Sequence, residues 1–454
     1  MLSRKNLEIL VAAQKRLYCT FPELPSFEQR WDFETDGVIQ ALLTRLGDND
    51  PYFHPRYAGH MSGYVCDVAV MSYFLAMQFN PNNHSYDGGR ATTKMEVECL
   101  DSMARMLDWN HYQGHLTSGG TIGNLEALWI HREMGANTVI CSKGAHFTHK
   151  RAANILDLKY LEVDVTKDGS LCSIALSGLL AALEATDVPV VVCTLGTTLN
   201  GAIDPLDEIF SLKAEHDFKV HVDAAYGGYF YLIRARLAGR NRKAFDFLPA
   251  ADSIVIDPHK HGLQGFGCGA LLLRGVSEST SQAIYTHDSP YTYFDRRGIS
   301  IGEKTLECSR PGAAAAALWA TMQCLPLEEE GEFSRVLLSC HTAAVKMSEL
   351  LFAVDDVRLI VREPALDIVV FYIECADISA ATRQLYEQLK ASGFYVAMAD
   401  CDISSETGVF REVSCIRLTL MKKEHLAMVD ELADQIIRLS KCIADEYRSQ
   451  YQAL

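Results

Sequence analysis

Residues 188–195, 218–225 and 252–258 read VPVVVCTL, FKVHVDAA and DSIVIDP. Each is a short run containing β-branched residues, and stretches with helical spacing separate the runs. This alternation is typical of a mostly parallel β-sheet with helices on both faces, so we predict an α/β fold. Ligands of such sheets bind outside the carboxyl ends of the strands, and we expect the chemistry of this protein there.

The same pattern extends in both directions from these runs. Further strands are predicted at TVICSK (138–143), KYLEVDV (159–165) and GALLLR (269–274). Residues 275–312 lack clear periodicity, which suits an active-site loop. Residues 1–50 are polar and helical, which predicts an arm that packs on something else and does not form a free domain. Between the arm and residue 320 the sequence predicts one large domain, residues 51–320.

The rest of the chain, residues 321–454, is predicted to form a smaller α+β domain. Its predicted elements are a helix (333–353), a strand (357–374), a helix (378–392), strands near 394–398 and 414–420, and a last helix (423–447). Two domains suit a chain of 454 residues of which 48% are hydrophobic.

Charge and cysteine content restrict the partners and the location. The formal net charge of -16 argues against a nucleic-acid partner, because phosphate binding requires clustered Lys and Arg. The 14 cysteines are scattered singly without a Cys-x-x-Cys pair, so we predict reduced thiols and no metal site. No apolar run approaches the roughly 18 residues of a membrane span, and the first residues do not resemble a signal peptide. We therefore expect a cytoplasmic protein that does not bind membranes.

A glycine-rich turn at residues 117–124, TSGGTIGN, runs directly into the predicted helix LEALWIHREM. The first turn of a helix has N–H groups without intrahelical partners and the positive end of the helix dipole, and both favour a phosphate. Turns of this composition are also common as plain helix caps, so the motif alone leaves both interpretations open.

Asp223, in HVDAAY, comes at the end of a predicted buried strand. A carboxylate in that position is costly unless it has a cationic partner, and a protonated pyridine nitrogen would be one. Ala225 follows at the same-face spacing of a strand and leaves room for a flat ring. An Asp that only caps the next turn would give the same sequence.

Lys260, in DPHKHG (257–262), also follows a predicted strand. Apolar sites favour the neutral amine of a lysine, which forms imines readily, although most loop lysines are solvated charges. His146, in AHFT (145–148), suits a ring stacked on an aromatic group or an ordinary core histidine. The hydroxyls of Thr197 and Thr198 suit contacts with a ring or a substrate, but threonine pairs also end strands without function.

The order and spacing of these segments resemble the group II pyridoxal-phosphate-dependent amino acid decarboxylases, a family that includes aromatic-amino-acid, tyrosine, histidine and glutamate decarboxylases. The resemblance runs from HPRYAGHM (54–61) to TLECSRPGAAAAALW (305–319), with DPHK and HVDAAY as its most specific motifs. Within the family the chain is most similar to bacterial tyrosine-decarboxylase-like members, through FNPNNHSYDGG (79–89) and LTSGGTIGNLEAL (116–128). The resemblance implies the aspartate-aminotransferase-like fold, fold type I, and the cofactor pyridoxal 5'-phosphate (PLP).

The resemblance also implies a role for individual residues. Lys260 matches the lysine that binds the cofactor as a Schiff base, and His259 matches a residue that helps to hold its phosphate. Asp223 matches the partner of the pyridine nitrogen, Ala225 the residue under the ring, and His146 the histidine stacked on the other face. The remaining matches are phosphate ligands at Gly120 and Thr121, and at Thr198 a hydroxyl near the ring oxygen and the substrate carboxylate.

Further matches concern the substrate. Arg310, in CSRPG, lies in a segment that in the family helps to form the site near the dimer interface. Arg417, in CIRLTLM, resembles an Arg that in some members faces the substrate carboxylate. Family members carry a mobile Tyr that returns a proton to the substrate carbon. The corresponding loop here offers Tyr285, Tyr291 and Tyr293, of which we favour Tyr291.

The implied reaction is decarboxylation of an L-amino acid to the amine and CO2 by a homodimer. Tyr, Phe and His residues over 52–60 and 285–294 favour an aromatic, tyrosine-like substrate. Two other reactions stay open on the same scaffold: C–C cleavage of the sphingosine-phosphate-lyase type, and decarboxylation coupled to oxidative deamination, which releases an aldehyde. A non-catalytic relative is disfavoured because the Lys and the Asp are both present.

Overall fold

The structure is a computed structural model that describes residues 2–23, 35–286, 301–404 and 410–452. Its β-strands are β1 Tyr57–Ala58, β2 Tyr112–Thr117, β3 Thr138–Ser142, β4 Lys159–Val163, β5 Pro189–Thr194, β6 Lys219–Asp223, β7 Ser253–Ile256, β8 Gly269–Arg274, β9 Val357–Leu359, β10 Ile368–Ile373, β11 Tyr395–Ser404 and β12 Phe410–Thr419. Its α-helices are α1 Arg4–Tyr18, α2 Asp36–Leu46, α3 Asp67–Met77, α4 Arg90–Met106, α5 Gly120–Glu133, α6 Thr148–Ile155, α7 Ser173–Ala181, α8 Leu206–Ser211, α9 Gly239–Phe247, α10 Glu278–Ile284, α11 Gly312–Cys324, α12 Glu332–Phe352, α13 Ile378–Ala391 and α14 His425–Gln452.

The larger sheet has the strand order β2-β8-β7-β6-β5-β3-β4. Its strands are parallel except for β8, which pairs antiparallel with β2 and β7. The predicted α/β fold with a mostly parallel sheet is confirmed. The edge strand β2 was not predicted, because its sequence YQGHLT has a glycine and lacks a β-branched run.

Strand β5 shows why a central strand of this sheet can be a continuous apolar run. Val191 and Cys193 belong to a core that includes residues of α4, α8 and α9. Val190 and Val192 face the other way, into a core that includes residues of α5 and α6. Because successive side chains of a strand point to opposite faces, both faces are buried and alternation with polar residues disappears.

The smaller sheet has the order β1-β11-β12-β10-β9, and α12, α13 and α14 pack on it. The single strand predicted over 357–374 was wrong, since the structure has two short strands, β9 and β10, in that range. Pro364 lies between them and has no N–H to donate to a ladder. Asp367, just before β10, is fully buried. Its carboxylate forms hydrogen bonds with the hydroxyl of Tyr226 at 2.6 Å and with Nε2 of His261 at 2.8 Å, two residues that follow strands of the larger sheet.

The two N-terminal helices differ from each other in burial. In α1, Asn6 donates a hydrogen bond to Asp67 of α3 at 2.6 Å, so this helix packs on the chain itself. Helix α2 has no buried residue. None of the described helices is long and apolar enough to cross a membrane.

Residues 275–312 are not a continuous loop. Ser277 caps α10 by accepting a hydrogen bond from the N–H of Thr280 at 3.1 Å, an N-cap signal that the sequence prediction overlooked. Tyr285, at the end of α10, is buried and packs edge-on against Trp129 with the ring centres 6.1 Å apart. Because the side chain is buried, the pKa of Tyr285 is raised above its ordinary value.

Candidate active site

A cavity of about 410 Å³ opens where β2, β3, β5, β6 and β7 end. This is the carboxyl edge of the parallel strands, where α/β sheets bind their ligands. A cavity of this size suits a small organic molecule. Its lining residues are Met61, Ser118, Gly119, Gly120, Thr121, Ile122, Asn124, His146, Thr194, Gly196, Thr198, Asp223, Ala225, Tyr226, Asp257, His259, Lys260, Phe266 and Gly267.

The structure therefore brings together eight of the predicted site residues, although they are up to 140 positions apart in the sequence. These are Gly120, Thr121, His146, Thr198, Asp223, Ala225, His259 and Lys260. They converge because each lies at or beyond the carboxyl end of a strand of the same sheet.

The glycine-rich turn forms the first wall of the cavity. Helix α5 begins at Gly120, and its N-cap residue, Gly119, offers the first turn no side-chain hydrogen bond. A side chain at Gly120 would place its Cβ 2.8 Å from Asp257 Oδ2 and 3.1 Å from Ala225 Cβ. Only glycine lets the backbone approach this closely, and the exposed N–H groups of the first turn suit a phosphate.

Asp223 forms the floor and is 6% exposed. Its Oδ2 accepts hydrogen bonds from Asn124 Nδ2 at 3.0 Å and from His149 Nε2 at 2.9 Å, and its Oδ1 accepts one from the N–H of Ala225 at 3.2 Å. Burial by itself raises the pKa of Asp223. The hydrogen bond from His149 and the positive charge of Lys260 outweigh burial and leave the pKa below its ordinary value, so the carboxylate is ionised at neutral pH.

Lys260 lines the same cavity as the glycine turn, with 22% of its side chain exposed. Its Nζ is 3.4 Å from Asp257 Oδ2. The neighbouring His259 forms a hydrogen bond of 2.8 Å between its Nδ1 and the carbonyl oxygen of Cys268, which fixes the ring beside Gly119. Burial lowers the pKa of His259, so its imidazole is predominantly neutral at neutral pH.

His146 and Thr198 lie beyond the ends of two neighbouring strands. His146 is half-buried, its Nδ1 accepts a hydrogen bond from the N–H of Thr148 at 3.3 Å, and its ring lies 4.3 Å from that of Phe147. Burial lowers the pKa of His146, which favours a neutral ring able to stack on a planar group. Thr198 is exposed in the cavity wall.

The two predicted arginines do not line the cavity. Arg310 is buried and its Nη1 donates to Glu96 at 2.7 Å and to the Leu116 carbonyl. Its predicted role, in a segment that helps to form the site near the dimer interface, stays a prediction. Arg417 donates from Nη1 to the Thr198 carbonyl at 2.9 Å and so lies behind the cavity wall. The predicted proton donor, Tyr291, lies outside the described residues.

The sequence prediction missed His149, Asn124 and Asp257. Asn124 and Asp257 were inside quoted motifs but received no role, because their burial is not visible in the sequence. His149, in the first turn of α6, follows His146 by three residues, and its N–H donates to the His146 carbonyl at 3.2 Å. Residues three apart in a helical turn lie on the same side, so that spacing was the available signal.

The groups in this cavity fit PLP. A carboxylate that is ionised although buried suits a protonated ring nitrogen, the glycine turn suits a phosphate, and the lysine amine in the same cavity suits the aldehyde. In addition, Asp257 Oδ1 is buried without a hydrogen-bond partner in the described part of the chain. Buried polar atoms of this kind occur at sites that bind a ligand.

Comparisons with known proteins agree with this fit. The family model described as the pyridoxal-dependent decarboxylase conserved domain matches residues 40–374. The chain is 31% identical over 316 residues to a probable L-tyrosine/L-aspartate decarboxylase of Methanothermobacter thermautotrophicus, a match that covers 69% of this chain and 81% of that protein. It is 29% identical over 414 residues to an L-aspartate decarboxylase of Thermococcus kodakarensis, with 89% and 96% covered.

A solved structure of Oryza sativa TDC with PLP and tryptamine has the same fold. Its TM-score to this chain is 0.76 at 18% identity, and the match covers 98% of this chain and 99% of that one. The family model spans well over half of the sequence, including every residue of the cavity. The chain belongs to the pyridoxal-dependent decarboxylases and is an amino acid decarboxylase, a carboxy-lyase that uses PLP.

Proposed function

We propose that the substrate is an L-amino acid with an aromatic, tyrosine-like side chain, which the enzyme converts to the amine and CO2. The observation that carries this proposal is the composition of the cavity wall. Met61 and Phe266 supply apolar surface, and Lys260 is the one Lys or Arg in the described lining. A substrate with a second carboxylate, such as aspartate, would need a further cation in the cavity.

The cavity residues have separate tasks in this proposal. When bound, PLP accepts the electrons released at the α-carbon of the substrate. Lys260 would hold the cofactor through its amine, and Asp223 would keep the ring nitrogen protonated. His146 and Ala225 bound the two faces of the ring, and Thr198 donates its hydroxyl to the ring oxygen or to the substrate carboxylate.

The remaining predicted residues bind the phosphate, support the substrate or move a proton. The first turn of α5, including Gly120 and Thr121, binds the phosphate together with His259. Arg417 acts on the substrate carboxylate indirectly, through Thr198 of the cavity wall. Its guanidinium donates a hydrogen bond to the carbonyl oxygen of Thr198 and so fixes the position of that residue. Tyr291 is proposed to return the proton to the α-carbon.

A substrate screen tests the proposal. The purified enzyme with PLP is incubated with each of the twenty amino acids, and amine, CO2, ammonia and peroxide are measured together. The expected result is the amine of an aromatic amino acid with equal CO2 and no ammonia or peroxide. Formation of β-alanine from aspartate as the main product would contradict the aromatic assignment, and ammonia with peroxide would indicate the oxidative reaction instead.

Replacing Gly120 with Ala tests the phosphate site. The added methyl group must displace Asp257 or Ala225. We therefore expect the PLP dissociation constant to rise about tenfold or more, which corresponds to the loss of at least one hydrogen bond to the phosphate. Gly178→Ala in α7 is the matched control, because a Cβ there meets no atom within 4 Å. Equal PLP affinity of the two variants in a fluorescence titration would place the phosphate elsewhere.

We also propose that the enzyme is a homodimer, in which the N-terminal arm packs on the partner through α2. The support is a row of exposed apolar side chains on α2, which no part of the described chain covers. They are Val38 63%, Ile39 45%, Leu42 48%, Leu43 55% and Leu46 53% exposed. Apolar surface of this kind is typical of an interface between subunits.

Leu43→Lys on α2 is expected to shift the dimer toward monomer, because it would bury a charge in an interface of more than about 2,000 Å². Gln40→Lys on the same helix is the control and should leave the dimer intact. Sedimentation velocity over a range of concentrations measures both variants. A native enzyme that is monomeric and active would refute the dimer.

The division of the chain at residues 50 and 320 and a cytoplasmic location complete the proposal. All 14 cysteines are free thiols in the structure, and the side chains of four of them are exposed. Reduced cysteines are typical of the cytosol, which supports that location.

A further inference from the structure

A row of buried polar side chains leads from Asp223 into the space between α5 and the sheet. Its members are His131, Ser253, His221 and Asn124, each at most 3% exposed, and we call them the donor row. Three short hydrogen bonds join them: His131 Nε2 to Ser253 Oγ at 2.8 Å, Ser253 Oγ to His221 Nδ1 at 2.8 Å, and His221 Nε2 to Asn124 Oδ1 at 2.9 Å. Asn124 Nδ2 then reaches Asp223 Oδ2 at 3.0 Å.

The charge of Asp223 fixes the direction of every bond in the row. An ionised carboxylate only accepts hydrogen bonds, so Asn124 must present its NH2 to Asp223 and its carbonyl oxygen to His221. His221 must then carry its proton on Nε2. Burial lowers the pKa of His221 well below its ordinary value, so its Nδ1 is bare and accepts from the Ser253 hydroxyl.

The last bond follows from the same rule. With its proton committed to His221, the Ser253 oxygen accepts from His131 Nε2–H. Burial lowers the pKa of His131 to about 4, and its Nδ1 has no hydrogen-bond partner among the described residues, as a bare nitrogen should. All four donors therefore point toward Asp223, and hydrogen bonds aligned in one direction polarise and strengthen one another.

Packing alone does not account for the donor row. Apolar side chains would fill the same space without the cost of burying four polar groups. We propose that the donor row orients the Asp223 carboxylate and keeps it ionised, so that its members are positioning residues for the pyridine nitrogen of the cofactor. This inference rests on the proposed role of Asp223. His149 is a second, separate donor to the same oxygen, so loss of the row weakens the support of Asp223 without removing it.

Ser253→Ala interrupts the row on β7 and leaves the cavity lining unchanged. We expect kcat to fall about tenfold, as for the loss of one hydrogen bond to a charged group, with little change in the PLP dissociation constant. Ser253→Thr retains the hydroxyl and should restore most of kcat. The control is Ser142→Ala on β3, because Ser142 is equally buried and its Oγ has no partner in the described structure.

A double-mutant cycle separates a positioning role from a structural one. In an Asp223→Asn background, Ser253→Ala should change kcat by less than about twofold, because the carboxylate that the row supports is gone. The same tenfold loss in both backgrounds, or equal kcat for Ser253→Ala and Ser142→Ala, would overturn the inference. Near-native kcat of Asp223→Asn alone would instead refute the role of Asp223.

Nitrogen-15 NMR of histidine-labelled enzyme gives a readout that does not depend on activity. With and without PLP, His131 and His221 should both be neutral with the proton on Nε2, and Ser253→Ala should shift both sets of signals. A proton on Nδ1 of either ring would reverse the direction of the bonds and overturn the inference.

Discussion

Replacing Lys260 with Ala is expected to lower kcat by about 10⁴-fold or more, equivalent to roughly 5 kcal/mol of transition-state stabilisation. The variant loses the amine that binds the cofactor covalently and that exchanges with the substrate amine. The visible absorption of the bound cofactor should change as well. Stopped-flow and steady-state assays of amine formation measure the loss.

Lys219→Ala is the control for this variant. Lys219 is the first residue of β6, at the amino ends of the parallel strands and away from the cavity, and it pairs with Asp252 at 3.5 Å. Its loss should therefore leave kcat unchanged. If Lys260→Ala retained more than about a hundredth of the native kcat, a loss of less than roughly 3 kcal/mol, another lysine would have to bind the cofactor.

The Asp223→Asn variant is expected to bind PLP yet lose about a thousandfold in kcat, roughly 4 kcal/mol. The amide has nearly the same shape but no charge, so it cannot keep the ring nitrogen protonated. One of its two terminal atoms is also an NH2 group, which cannot accept a hydrogen bond, whereas both oxygens of the native carboxylate accept one or more.

Turnover and PLP affinity, measured on the same preparation, distinguish this effect from misfolding. Asp252→Asn is the control. Asp252 directly precedes β7, at the amino ends of the parallel strands and away from the cavity, and it accepts a hydrogen bond from the Val220 N–H at 2.8 Å. If the Asp223→Asn enzyme turned over at the native rate, the carboxylate would be only structural.

Much of the site could be predicted because its residues lie at the carboxyl ends of the strands of one parallel sheet. The strands before Asp223 and Lys260 are buried on both faces, and they leave a signal in the sequence as short runs rich in valine and isoleucine, although His221 interrupts the first. Once the strands are known, the residues that follow them must lie close together. This geometry, with the family resemblance, was enough to predict eight of the lining residues, among them Gly120, Asp223 and Lys260.

The parts that could not be predicted depend on long-range contacts. The partner of Arg310 is Glu96, more than 200 positions away, and the sequence has no local feature that joins them. The donor row has the same origin: His221 looks like any polar residue of a strand until Ser253 and Asn124 are placed beside it. The periodicity of a sequence indicates which face of a helix or strand is buried. It does not indicate which polar side chains form hydrogen bonds with one another on that buried face.

Lys422 shows why geometry decides the choice of lysine. Burial lowers the pKa of Lys422 to about 8, a property often found in lysines that form imines. Its Nζ, however, donates to the carbonyl oxygen of Tyr57 at 2.8 Å and does not line the cavity. Lys260 does line the cavity, together with the glycine turn, and its charge acts on Asp223.

Borohydride reduction of the PLP-loaded enzyme, followed by peptide mapping with mass spectrometry, tests this assignment most directly. Reduction makes the link between cofactor and lysine permanent, so the modified residue can be identified. We predict a single pyridoxyl label, on the peptide that contains Lys260. A label on Lys422 or on any other lysine, with Lys260 unmodified, would contradict the proposed active site.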